Sequence, residues 1–455
     1  MTVHSYPNKY EYYFFIMYSN ERSILNMADA RIILQTQGQE DQNIVQNAEF
    51  TFFKKDFRTH TQLGLDWQSI NYNEKNEEGV IRDGQTITIR IPLNGDLLNE
   101  IYLRFKVVTD ERWYVGTGSD LSECMFSPMT VFDIVDKVEL MYNDHRLSEL
   151  TSDYILCYMD LYKSIGEKNA LANMVSYDNA TREFINLDVS SVAPHTYLYM
   201  PLPFWFHKSP IHAIPLWALK DTNLTLKITL KDFSGPNQSR KIHDVDTMVQ
   251  YAFVTEEEKE QFKVLPAEYT IKQVERIDRF EMNPNHKHRV DISPTNFIEY
   301  LLWNVQLYEE GTSGGVGYRQ MIDGVKQVEI MMNGNTVIEA DGDYFNWVQR
   351  FQHFNCDSTM QLYDPQVTNY PMFIPSRNAN VDSPMPIYTY SFALDPRVPK
   401  ESGFVSTVKF NHTAMTIESN DLPDVTSGFR AICSVYVVRH NILRIKDGYI
   451  SMLYN

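Results

Sequence analysis

Cysteine is nearly missing from this chain. There are four in 455 residues, Cys124, Cys157, Cys356 and Cys433, and no two form a Cys-x-x-Cys pair. That argues against a disulfide framework or a cysteine-zinc site and fits a reducing compartment. Isolated cysteines of this kind read as small buried hydrophobes. Long apolar runs are missing too. No stretch reaches the roughly 20 residues that a membrane helix needs. The aromatic cluster at residues 12–17 is too short and too rich in tyrosine for a signal peptide, so synthesis in the cytosol is expected. Positive charge is in deficit, with 41 Lys and Arg against 59 Asp and Glu and a net charge of -18. A surface this acidic repels phosphate and disfavours direct nucleic-acid binding. The motifs GxxxxGK[ST], HExxH and GxSxG do not occur, so no phosphate cradle, zinc protease or nucleophile elbow is indicated. No catalytic residue, metal site or cofactor is predicted. His286 and His288 flank Lys287 on one strand face but lack a third ligand. Asp244 with Asp246, and Asp341 with Asp343, resemble fragments of a calcium loop that neither continues.

Aromatics are plentiful, with 28 Tyr and 25 Phe, 13% of the chain with Trp. These residues favour strands and large buried contacts. Residues 86–91, 101–107 and 224–231 alternate apolar and polar, with Ile87, Ile89 and Ile91, then Ile101, Leu103, Phe105 and Val107, then Leu224, Leu226, Ile228 and Leu230 on one side. Period two with one polar face marks a half-exposed antiparallel sheet. Residues 404–410 and 435–438 are weaker counterparts in the second half.

An internal repeat organises the whole chain. Residues 137–154 align with 327–344 without a gap at one offset, 328 − 138 = 190. Val138/Val328, Glu139/Glu329, Met141/Met331, Asn143/Asn333, Glu149/Glu339, Asp153/Asp343 and Tyr154/Tyr344 are identical. Each copy reads as strand, turn, strand and short helix. Asn143-Asp144 and Asn333-Gly334 are dipeptides that tolerate positive φ. Asp153 and Asp343 are placed to cap the helices that follow. Tyr154, Cys157, Tyr158 and Leu161 form an apolar stripe at helical spacing, and Tyr344, Trp347, Val348 and Phe351 form its counterpart. Residues 223–228 also echo residues 411–416. The chain therefore divides into two β-sandwiches joined near residues 234–262. There Thr255 and Glu258 have the spacing of a capping box for a short linker helix.

Several segments resemble one family in the expected order. They are Thr-Phe-Phe-Lys-Lys-Asp-Phe-Arg at 51–58, Pro-Leu-Pro-Phe-Trp-Phe at 201–206, Ala-Ile-Pro-Leu-Trp-Ala-Leu at 213–219, residues 255–262 with Glu268 and Tyr269, residues 390–396, and residues 435–446. Together they are similar to the major capsid proteins of nucleocytoplasmic large DNA viruses; Thr59 stands where the family has a second Arg. The resemblance implies an all-β fold, two tandem eight-stranded jelly-roll sandwiches (a double jelly roll) with short helices in the loops. It implies a first jelly roll at 27–254, a linker helix at 255–264 and a second jelly roll at 265–455. Phe52, Phe53, Arg58, Phe204, Trp205, Phe206 and Pro215 are the motif residues expected to hold that fold. Phe204, Trp205 and Phe206 are expected on a strand bracketed by Pro203 and Pro210, alternating between the core and a neighbouring element.

Functionally the resemblance implies a structural subunit rather than an enzyme. It would form a homotrimer, a pseudo-hexameric capsomer, that tiles an icosahedral shell in the virion after synthesis in the host cytoplasm. Expected partners are further copies, neighbouring capsomers, minor capsid proteins and the inner membrane beneath, with no direct nucleic acid. The alternatives are a minor double jelly-roll capsid protein and a carbohydrate-binding or carbohydrate-active β-sandwich protein. Residues 1–26 have no family counterpart. They are expected to be either a segment upstream of a true start at Met27 or an arm beneath the shell. The long inserts at 110–129 and 355–385 are expected to form outward loops.

Overall fold

The computed structural model describes residues 51, 53, 59–72, 81, 84–109, 131–174, 177–178, 183–184, 196–207, 209–220, 223–231, 240–263, 267–292, 297–309, 319–354, 386–408, 410, 412–422, 429–446 and 448–454. The chain falls into two compact units, 1–60 and 61–455, and all the strands below lie in the second. Residues 1–26 and the inserts at 110–129 and 355–385 lie outside the described residues.

Among the described residues, sixteen strands build two sandwiches. The first contains β1 (Leu63–Asn71), β2 (Thr86–Arg90), β3 (Leu97–Thr109), β4 (Val135–Tyr142), β5 (His145–Thr151), β6 (Thr196–Pro201), β7 (Leu224–Leu230) and β8 (Arg240–Val254). The second contains β9 (Ala267–Met282), β10 (Lys287–Asp291), β11 (Ile298–Glu309), β12 (Val325–Met332), β13 (Asn335–Asp341), β14 (Ile387–Ser391), β15 (Thr413–Ser419) and β16 (Phe429–Lys446). In the first, the antiparallel orders are β1-β8-β3-β6 and β2-β7-β4-β5. In the second they are β9-β16-β11-β14 and β10-β15-β12-β13. Adding eight to each strand number of the first sandwich gives the second, which is a duplicated jelly roll. Short strands at Ile214–Pro215, Arg319–Met321 and Tyr449–Met452 add to the larger sheets.

The duplication extends to irregularities. The β4–β5 ladder slips between Leu140 and Met141, and the β12–β13 ladder slips 190 residues later, between Ile330 and Met331. Asp136 is skipped in the β4–β7 ladder and Lys326 in the β12–β15 ladder. Asn99 is skipped opposite β8, and Glu299 opposite β16. A bulge bends and twists its strand, so matched bulges give the two sandwiches matched curvature. The hairpin turns also agree. Asn143 and Asp144 have φ of 46° and 64°, and Asn333 and Gly334 have φ of 53° and 81°. Two successive positive values match the right-handed twist of the strands. Residues 223–228 and 411–416 correspond with a one-residue correction, because Asn143 N–H donates to the Asn223 carbonyl and Asn333 N–H to that of His412.

Inward-facing residues fill each sandwich. Ile87, Ile89, Ile101, Leu103, Phe105, Val138, Leu140, Leu226 and Ile228 are buried in the first. In the second, buried Trp303 stacks on Tyr388 at 5.9 Å and meets Phe345 at 5.3 Å. Each such side chain contributes roughly 1.5–3 kcal/mol by leaving water. The stretch 404–410, expected as a strand, makes only an isolated bridge from Val405 to Ile298. Gly403, at φ 139°, turns the chain just before it.

Five helices accompany the strands among the described residues: α1 (Val131–Ile134), α2 (Ser152–Tyr162), α3 (Ile165–Met174), α4 (Glu256–Lys263) and α5 (Gln349–His353), the last preceded by a π-helical turn at Tyr344–Val348. The caps of α2 and of its counterpart are not where they were expected. Thr151 Oγ1 accepts from Tyr154 N–H at 3.3 Å, and Asp341 Oδ1 accepts from Tyr344 N–H at 3.0 Å. The capping positions thus obey the 190-residue repeat but lie two residues before Asp153 and Asp343. Those aspartates already sit in helical backbone, where a side chain cannot reach the free N–H groups. The capping box at α4 is not closed either: Thr255 Oγ1 and Glu258 Oε2 have no hydrogen-bond partner, while the Thr255 carbonyl accepts from Glu258 and Lys259. Lys259 instead ties this helix to Asp96 at 2.9 Å.

Candidate assembly interface

For a molecule built of two similar sandwiches, the informative surface is the one that joins them. Helix α2 follows β5 and lies on the outer face of the β9-β16-β11-β14 sheet. The buried core of the first sandwich runs without a break into Ile271, Tyr300, Leu302, Ile387, Tyr436 and Val438 of the second. Hydrogen bonds pin this apolar contact. Thr151 Oγ1 lies 2.9 Å from the Tyr436 hydroxyl, and the Tyr154 and Tyr300 hydroxyls are 3.2 Å apart. Tyr162 donates toward Tyr300 at 3.1 Å, with the Pro396 carbonyl 3.3 Å away. Asn304 Nδ2 donates to Cys157 Sγ at 3.1 Å, and Gln273 Nε2 to the Leu147 carbonyl at 2.7 Å. Burial pushes the Tyr154, Tyr162 and Tyr300 hydroxyls well above the usual tyrosine range and the Cys157 thiol up to about 12. These groups are therefore neutral donors and acceptors at physiological pH, and Cys157 is a buried packing residue without thiolate character. At the far end of the seam, the Gly448 carbonyl accepts from Tyr142 Oη at 3.0 Å and from Lys220 N–H at 3.1 Å. Gly448 has φ 89°, and a Cβ there would meet the Lys220 side chain.

Two ionic clusters lie along the seam. Asp160 of α2 is held by Lys168 Nζ at 2.9 Å and by Arg350 Nη2, from the second sandwich, at 2.6 Å. Burial opposes the charge on Asp160, but Arg350 and then Lys168 outweigh it and hold the carboxyl below its usual range. Asp160 and Arg350 are 190 residues apart, so the repeat places opposite charges at matched positions. In the second cluster, fully buried Glu299 accepts from Lys272 Nζ at 2.8 Å, with His440 Nε2 at 3.8 Å. Burial raises the Glu299 carboxyl to about 7 despite Lys272, and burial with Lys272 lowers His440 to about 4. A cavity of about 230 Å³ opens beside them, lined by Tyr158, Tyr162, His212, Lys272, Tyr300 and His440.

The motif residues are distributed as follows. Phe52 and Arg58 lie outside the described residues, and Phe53 is exposed. Phe204, Trp205 and Phe206 do not form a strand: β6 ends at Pro201, and residues 205–207 are a turn closed by His207 N–H to the Phe204 carbonyl at 2.9 Å. Pro201 and Pro203 lack the N–H groups a ladder would need. Burial alternates nonetheless. Phe204 and Phe206 are buried, with rings stacked at 5.7 Å, while Trp205 packs half-buried across the Phe206 edge at 5.2 Å. Pro210 opens a 3-10 turn rather than bracketing a strand, and Pro215 pairs with Leu97. Asp244 and Asp246 form ion pairs with Lys106 and Arg104. His288 stacks on Phe280 and meets Asp278 Oδ2 at 3.1 Å. Among the described residues no three His, Cys, Asp or Glu side chains are grouped to hold a metal, and no helix is long and apolar enough to cross a membrane.

Sequence reasoning missed the second-sandwich half of the seam: Glu299, Tyr300, Asn304, Arg350 and Tyr436. Its one legible signal was the charge reversal between Asp160 and Arg350.

The family described as "Major capsid protein N-terminus" matches residues 51–253. The major capsid protein of Pyramimonas orientalis virus is 22% identical over 424 residues, covering 92% of this chain and 97% of that protein. That of Paramecium bursaria Chlorella virus 1 is 22% identical over 481 residues, covering 93% and 98%. The solved structure of PBCV-1 VP54 superposes with a TM-score of 0.65 at 21% identity, covering 89% of this chain and all of that one. Fold and matches together define a double jelly-roll capsid protein. The chain is similar to the major capsid proteins of nucleocytoplasmic large DNA viruses.

Proposed function

We propose that this chain is the shell-building subunit of its virus, a homotrimer whose six sandwiches make a pseudo-hexameric tile of an icosahedral capsid. The observation that carries this reading is the seam. Two sandwiches of one topology share a continuous buried core. Three such chains in a ring present six equivalent sandwiches, and a ring of head-to-tail contacts closes without leaving a free face. In this reading the first jelly roll covers residues 27–254, α4 lies in a linker at 255–264, and the second jelly roll covers 265–455. Phe204, Phe206 and Pro215 act as packing residues of the first. The chain carries out no catalysis, is made in the host cytoplasm, and meets neighbouring capsomers, minor capsid proteins and the inner membrane beneath. A net charge of -18 supports an absence of direct contact with the genome.

The test is mass. Light scattering on the purified chain is expected to give three times the chain mass at micromolar concentration, and a monomer there would overturn the trimer. A gel of purified particles separates the major from the minor role: a dominant band at about 53 kDa is expected, and a trace band would assign the chain to the minor class.

A further inference from the structure

The two helices aligned by the repeat have opposite environments. On α2, Cys157 and Leu161 are fully buried, Tyr154 nearly so and Tyr158 half-buried against the second sandwich. Of their counterparts 190 residues on, Tyr344 is half-buried, while Trp347, Val348 and Phe351 are 43%, 41% and 79% exposed. Both helices are seated alike on their own sandwiches. Ile155 and Met159 are buried beneath α2, and Phe345 and Gln349 occupy the same positions in the second copy. Among the described residues, no sheet lies over the second helix as one does over α2.

Such a sheet exists in the first sandwich. The ladders match Tyr300 and Leu302 of β11 to Glu100 and Tyr102 of β3, and Tyr436 and Val438 of β16 to Met248 and Gln250 of β8. In the second sandwich these outer-face positions are largely buried under α2; in the first all four are only partly covered. Beside them Leu63, Leu65 and Trp67 of β1 are 66%, 55% and 43% exposed, and Trp67 sets its edge on the Tyr102 ring at 5.6 Å. Among the described residues, the chain thus carries one apolar helix stripe with no sheet over it and one matching sheet face with no helix laid across it as α2 is. Apolar surface of this kind marks an interaction site.

We propose that Trp347, Val348 and Phe351 of one copy dock on the outer face of the β1-β8-β3-β6 sheet of a second copy, around Leu65, Trp67 and Tyr102. The occupant is a second copy because the seam inside each chain is a worked example of the same contact, helix stripe on outer sheet face. The inference rests on the trimer reading and assigns residues to it. The contact joins unlike faces, so each copy donates one of each and a closed ring uses them all.

The test uses full-length chains in three preparations: wild type, a helix-face variant Trp347→Ser with Phe351→Asp, and a sheet-face variant Leu65→Ser with Trp67→Asp. All the altered side chains are exposed, and a retained near-UV circular dichroism spectrum checks the fold; if one variant fails that check, the other still decides. Each variant alone is expected to sediment as a monomer where wild type is a trimer. Mixed at high micromolar concentration, they are expected to give a one-to-one dimer, since one intact face of each kind remains. A variant that stays trimeric, or a mixture that stays monomeric, overturns the inference and leaves the trimer standing. A wild-type monomer overturns the trimer and the inference with it.

Discussion

Helix α2 and the helical segment 190 residues later share a register, a cap and a seat, yet one is enclosed and the other exposed. Duplication copied many of the local instructions: the bulges at Asp136 and Lys326, at Asn99 and Glu299, and the caps Thr151 and Asp341 correspond. Burial was not copied, because burial belongs to a pair of surfaces and not to a segment. The charged groups show the same divergence. The bulge residue of the first sandwich is Asn99, bonded to Gln250 at 2.5 Å, while that of the second is Glu299, bonded to Lys272. The seam is where two originally similar domains became different.

The largest expected effect breaks the seam itself. Asp160→Asn should leave Lys168 and Arg350 without their shared carboxylate and destabilise the chain by about 3–5 kcal/mol, read as a lower guanidinium midpoint. The stripe residues sharpen the contrast next. Leu161→Ala should cost about 2–5 kcal/mol, while Phe351→Ala, its repeat partner, should change stability by less than about 0.5 kcal/mol. Both are to be measured by denaturant unfolding at a dilution where the chain is monomeric. Equal losses would show that the second helix is covered within the chain.

A third test uses pH. A carboxyl whose folded pKa, about 7, exceeds its ordinary 4.5 holds its proton more tightly when folded. Glu299 therefore adds stability as pH falls from 7 toward 4.5. For His440, lowered from 6.5 to about 4, the unfolded chain takes the proton first. Its contribution is lost as pH falls from 6.5 through 4. In wild type the two slopes oppose one another. Glu299→Gln should expose the histidine slope, with stability falling toward pH 4, and His440→Gln the opposite slope, each at most about 3 kcal/mol. Asn99→Ala in the first sandwich should leave the pH profile unchanged, as followed by urea midpoints across pH 4–8.

The smallest effect concerns the turns. Asp144 holds φ 64° where the second copy has Gly334. Asp144→Gly should stabilise by about 0.5–1 kcal/mol, and Gly334→Asp should lose a similar amount, by thermal melting.

How much of this could be read from sequence follows from the range of each interaction. The hairpins at 143–144 and 333–334 were legible because turn type is set by two adjacent residues. So was the existence of both helices, from an apolar stripe of four positions. The caps were misplaced by two residues because Asp153 is as good a capping residue as Thr151 until the helix start is known. The aromatic run at 204–206 looked like a strand because alternating burial also arises in a tight turn. The seam partners Tyr154 and Tyr300, or Thr151 and Tyr436, are 146 and 285 positions apart, and no local pattern links them. The opposite charges at Asp160 and Arg350 were visible, but only after the repeat had been aligned.

The position of β16 has a consequence for the timing of synthesis. It is the last long strand of the second sandwich, yet it lies between β9 and β11 in the middle of its sheet. While a ribosome is still making residues 429–446, β9 and β11 have no common neighbour, and Tyr436 and Val438 are missing from the face that α2 covers. The first sandwich must therefore wait with its tyrosine-rich helix unsheltered, and contacts of such long sequence separation form slowly. A nascent or prematurely released chain cannot close the seam, so only chains translated through β16 would enter assembly. Placing a late strand at the centre of the sheet makes translation through residue 446 a checkpoint for closing the seam.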